Sequence, residues 1–128
     1  LIPAFGGVAY AESDGDNSIA PMTIGSYVIS FKAANSVRGD VDVYAHSIGL
    51  ASSITSKVTL QSAPLGSSVY TNVSGVLPST HTVYNQSYID HLCSFPISSG
   101  RNYRIKIEIT DKVNGKEATV TLYKTLSR

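Results

Sequence analysis

A single cysteine and no tryptophan occur in 128 residues. One cysteine excludes an internal disulfide framework and every metal site built from several thiolates. Charge is also scarce: 15% of residues are Asp, Glu, Lys or Arg, against about 25% in an ordinary soluble domain. The formal net charge is +1, so no excess of positive charge marks a binder of nucleic acid or anionic membranes. Long apolar runs are missing too, and no stretch reaches the ~20 residues a membrane-spanning helix needs. Polarity comes instead from Ser and Thr, roughly 29 residues together, well above average usage. The length suits one domain with one core.

Residues 1–11 carry no charge and end in Ala9-Tyr10-Ala11. Small residues one and three positions before a cut are what a signal peptidase pocket accepts. Residues 1–11 are therefore expected to be the C-terminal part of a signal peptide whose start lies upstream. The mature protein would begin at Glu12 and be secreted to the extracellular space. Residues 12–22 are expected to form a flexible polar lead-in, and residues 23–128 the folded domain. Within the lead-in, Asp14-Gly15-Asp16-Asn17 has the look of a calcium-loop fragment but lacks the further oxygens and terminal Glu such a loop needs.

Period-two alternation dominates the rest, punctuated by Gly, Pro, Asn and Ser. Tyr27, Ile29 and Phe31 share one face of a first strand, and Val41, Val43 and Ala45 one face of a second. The segment Ser36–Asp40 reads as the turn between them. Val58 and Leu60 mark a third strand, broken by Ala63–Ser68, and Val69–Val73 a short edge strand. An extended stretch covers Thr80–Ile97. Tyr103, Ile105, Ile107 and Ile109 alternate with charged or polar residues. Asn114-Gly115 follows, a pair that tolerates the positive φ angles of a type I′ hairpin turn. Ala118, Val120 and Leu122 form the return strand. About seven short strands predict an all-β fold, an antiparallel two-sheet sandwich.

Ser98-Ser99-Gly100-Arg101-Asn102-Tyr103-Arg104-Ile105 resembles the corner that leads into the sixth strand of immunoglobulin-like and fibronectin-III-like domains. The resemblance implies an Ig-like sandwich in which Tyr103 packs at the corner and hydrogen-bonds backbone upstream. Missing Trp and a lone Cys depart from true immunoglobulin domains. The chain is also similar to small, Ser/Thr-rich β-sandwich proteins secreted by Gram-positive bacteria.

Signals for chemistry are few. Arg38-Gly39-Asp40 matches the tripeptide that integrins read at exposed loop tips, and it also suits simple turn chemistry. Cys93 lies in an extended apolar stretch and is read as a core thiol; His91 and Asp90 are close in sequence, but side chains at i and i+2 of a strand stand about 7 Å apart. His46, His81 and His91 show no metal-ligand spacing. No hydrolase, zincin or phosphate-loop motif is present, so no catalytic residue, metal or cofactor is expected. Asn72 and Asn85 head glycosylation sequons. Eight Tyr offer rings with polar tips, suited to wet interfaces. Tyr70, Tyr84 and Tyr88 lie in the segment richest in Ser, Thr and Asn and are the candidate binding residues. The expected function is a non-catalytic extracellular domain, monomer or weak dimer, that binds a protein through edge strands or loops. The alternative is a carbohydrate- or cell-wall-binding module with a Tyr-rich face. The expected partner is thus a protein or a surface glycan, with no nucleic acid and no membrane insertion after signal cleavage.

Overall fold

The computed structural model describes residues 23–128; the signal segment and lead-in expected over 1–22 lie outside the described residues. Six strands follow in order: β1 (Ile24–Ala33), β2 (Arg38–Pro64), β3 (Thr71–Asn72), β4 (Ser79–Pro96), β5 (Arg101–Val113) and β6 (Lys116–Thr125). The fold is all-β, and every strand pairing is antiparallel. β2 organises it. One of its sides takes β1 along Gly39–Ser47 and β5 along Ser53–Pro64. β4 runs along Arg38–His46 and then Ala51–Val58. The result is a curled antiparallel sheet.

The second and third strands expected from sequence are therefore one strand of 27 residues, which corrects the count to six. Alternation hides this because it changes phase. Val41, Val43 and Ala45 point inward, and so do Ile54, Ser56 and Val58. The phase slips where Ser47–Leu50 of β2 stand against Ser87 alone, between the pairs His46↔Tyr88 and Ala51↔Gln86. Such a bulge bends a strand and re-aims its side chains. On β4, Asn85 sits beside it at φ 55°, a left-handed angle that Asn tolerates better than most residues. Asp111 of β5 pins the bulge from inside. It is fully buried, and its carboxylate accepts hydrogen bonds from the hydroxyls of Thr23 and Ser47, the latter at 2.9 Å. A buried carboxylate with such donors avoids much of its desolvation cost.

The core is made by the inner faces: Tyr27 and Phe31 from β1, Val43 and Ile54 from β2, Ile89 from β4, Ile105, Ile107 and Ile109 from β5, and Val120 and Leu122 from β6. The C-terminal hairpin follows the expected alternation, and its Asn114-Gly115 turn has φ angles of 54° and 77°. The chain end closes the β1 side. Ala33 N–H donates to Ser127 O at 2.8 Å, and Ser127 N–H to Phe31 O at 2.9 Å. Near the start of β5, Tyr103 is buried, and its hydroxyl oxygen accepts the N–H of Ser98 in the corner before the strand at 3.1 Å.

The Arg38-Gly39-Asp40 tripeptide is not at a loop tip. The link between β1 and β2 is residues 34–37, held by Val37 N–H donating to Asn35 Oδ1. Gly39 is already an inner position of β2, buried under Phe31, whose ring would lie 2.7 Å from an added Cβ. Arg38 and Asp40 face out and pair with each other at 3.0 Å. Flat strand backbone and a self-satisfied ion pair are the wrong shape for loop-tip recognition.

Candidate functional site

β4 forms hydrogen-bonded pairs with β2 on one side, and among the described residues no strand covers its other side. An open edge presents a row of unpaired N–H and C=O groups to any other extended chain. Native sheets usually blunt such edges with Lys, Pro or charge. Over its 18 residues β4 contains no Lys or Arg, one acid (Asp90) and a single Pro at its very end. The bulge divides it into two runs, 79–86 and 88–96, and every residue of the second is paired with β2 in unbroken register.

The outer face beside that second run carries exposed apolar side chains. Register rows across β1, β2 and β4 are Ser26–His46–Tyr88, Val28–Tyr44–Asp90 and Ser30–Asp42–Leu92. Val28 is 67% exposed and Leu92 69%. Tyr44 and Tyr88, diagonal neighbours, have ring centroids 5.9 Å apart and tilted by 32°, a favourable aromatic geometry. The other diagonal joins two acids. Asp42 hydrogen-bonds Asp90, and this bond, with burial and the Asp90 charge, pushes the Asp42 carboxyl up to about 6. The bond requires one carboxyl to keep its proton, since two carboxylates both accept and repel.

The same edge also opens on a groove of about 310 Å3 lined by Ser79, Thr80, His81, Asp90, His91 and Leu92. His91 is 3% exposed. Its Nε2 lies 2.9 Å from Ser79 Oγ and its Nδ1 2.8 Å from Ser56 Oγ. Burial, and then the neighbouring His81, hold its pKa below the ordinary histidine value. A neutral imidazole between two hydroxyls donates through one nitrogen and accepts through the other, so it braces the two halves of the bent β2–β4 pair. Cys93, expected as a core thiol, is only half-buried and packs against the core from its margin; burial raises its pKa against a hydrogen bond to Ser79 that lowers it. Asp90 is exposed where His91 is buried, and both imidazole nitrogens are taken by serine hydroxyls, so no Cys–His–Asp assembly forms. Among the described residues no group of three His, Cys, Asp or Glu could hold a metal ion.

The expected tyrosines separate. Tyr70 lies outside any strand and stacks with Arg104, whose guanidinium carbon is 4.4 Å from its ring and 4.3 Å from that of Tyr123. Tyr84 is exposed on β4 beyond the bulge, opposite Ser53. Tyr88 meets Tyr44 instead. Among the described residues no ring contact joins Tyr70, Tyr84 and Tyr88. Tyr44 was missed although alternation puts it outward, because its pairing with Tyr88 depends on the β2–β4 register. The short edge strand expected over Val69–Val73 narrows to Thr71–Asn72, paired with Gln61 and Ser62; Asn72 Oδ1 accepts from Gln61. No family model matches the chain, and comparison with curated proteins gives no match either. Among the described residues no helix is long and apolar enough to cross a membrane.

Proposed function

We propose that the chain is a secreted, non-catalytic domain that binds a protein partner by accepting an extended segment along β4. The supporting observation is the free edge of β4, long and almost without charge. Strand addition draws affinity from main-chain hydrogen bonds and specificity from alternate side chains. Export is supported by Ala9-Tyr10-Ala11. The finer architecture we propose is an Ig-like two-sheet sandwich, in which the bulge lets β2 and β4 pass from one sheet to the other. The Tyr103–Ser98 bond is the corner contact this reading calls for.

The test is affinity capture of extracellular proteins from the source organism with the full chain and with a Leu92→Lys/Ser94→Lys variant. Both positions are on the outer side of β4 and tolerate a long polar side chain. The reading expects partners that the wild type retains and the variant loses at unchanged melting temperature. Equal retention by both proteins contradicts it.

A second reading, a carbohydrate-binding face, is favoured by the Tyr44–Tyr88 pair beside two acids. Such a face stacks sugar rings and accepts bonds from their hydroxyls. Co-sedimentation with insoluble polysaccharides, lost in Tyr44→Ala/Tyr88→Ala, would support it over strand addition.

A further inference from the structure

The edge of β4 also specifies what it accepts; this inference rests on the strand-addition reading. Two observations meet along residues 88–96. On the outer side, Tyr88 and Leu92 flank Asp90, and each is exposed at the strand that would adjoin a newcomer. The acids there are not neutralised from within: among the described residues the ion pair formed is Arg38 with Asp40, and Asp42 and Asp90 have only each other. Lys32 of β1, the nearest cation in register, stands opposite Asp40 and diagonal to Asp42, two strands away from Asp90. Beside His91 the edge opens on a groove that Ser79, Thr80 and His81 line together with Asp90 and Leu92.

An added strand must match both sides at once, because its side chains alternate. Directly opposed residues on neighbouring strands interact most strongly, and opposite charges there are favourable while like charges are not. Apolar side chains beside Tyr88 and Leu92 would cover surface that β4 now leaves in water. A residue beside Asp90 lies between them and faces its carboxyl, with that of Asp42 one strand further away on β2.

We infer that the partner segment carries Lys or Arg at the position facing Asp90, apolar residues two positions to either side of it on the same face, and small polar residues on the face that enters the His91 groove. The occupant is thus an extended, basic-centred segment of another protein. A second copy of β4 fits poorly, since it has no Lys or Arg to offer and could set Asp90 against Asp90.

The test uses the full 15N-labelled chain and three nine-residue peptides alternating Val and Thr, with Lys, Ser or Glu at the central outward position. Amide shifts are followed by NMR titration, which reads weak binding residue by residue. The inference expects shifts along residues 88–96, with the Lys peptide binding about tenfold tighter than the Glu peptide and the Ser peptide between, a preference built from modest exposed charge pairs. In Asp42→Asn/Asp90→Asn, both exposed substitutions, the three peptides should bind alike. If all three bind the wild type equally and Leu92→Lys/Ser94→Lys stops them, strand addition stands and the basic centre is refuted. If none shifts residues 88–96, the inference and the strand-addition reading fall together.

Discussion

Replacing Asp42 by Asn should stabilise the protein above pH 6 and leave it almost unchanged near pH 4. The Asp42 carboxyl rises from 3.8 to about 6 because it hydrogen-bonds Asp90 as a protonated acid, with burial and the Asp90 charge adding to the effect. A carboxyl whose folded pKa is raised binds its proton more tightly in the native state than in the unfolded one. Its stabilising contribution is complete below the unfolded value and is lost as pH rises through about 6. At full strength that displacement is worth ~3 kcal/mol. Asp42 is exposed, and solvent screening reduces the figure to about 1 kcal/mol. Asn cannot ionise, and its amide donates to Asp90 at every pH. Thermal denaturation of both proteins at pH 4.5 and pH 7.5 measures the difference, and at pH 7.5 the variant should melt ~5 °C higher. A variant less stable than wild type at pH 7.5, or an equal difference at the two pH values, refutes the reasoning.

Three further outcomes follow from the fold. Tyr103→Phe removes the acceptor of the Ser98 N–H and should cost about 1–2 kcal/mol in urea unfolding; no change would mean that water or another group satisfies that donor. Gly39→Ala forces a methyl toward the Phe31 ring, and the overpacking should cost ~1–3 kcal/mol; a neutral result would show that Phe31 yields freely. Cys93, half-buried with a raised pKa, should react with Ellman's reagent at pH 8 at least about tenfold more slowly in the native protein than in urea; equal rates would contradict the packing around β4.

The parts of the fold legible from sequence were those where pattern and turn chemistry agree locally. Ile105, Ile107 and Ile109, the Asn114-Gly115 turn, and Val120 and Leu122 formed such a set, and the hairpin lies as read. β2 was not legible as one strand. Ile48-Gly49-Leu50 interrupts its alternation, and the phase on either side differs, which is how two separate strands look. A bulge held by a buried carboxylate from another strand leaves no local trace, because Asp111 is far from Ser47 in sequence. The site was less legible still. Outward positions could be assigned for Tyr44 and Tyr88 separately, but their contact and the Asp42–Asp90 bond come from register between strands distant along the chain. Tyr70 was misleading for the opposite reason: it lies in a polar segment that suggests a free ring, yet Arg104 stacks on it.

The measurement closest to the central claim is amide hydrogen exchange of the full chain, alone and with a captured extracellular partner. Strand addition predicts rapid exchange at alternate amides of residues 88–96 in the free protein, and their selective protection in the complex. Protection elsewhere, with the β4 amides exchanging as before, would contradict a docking edge on β4.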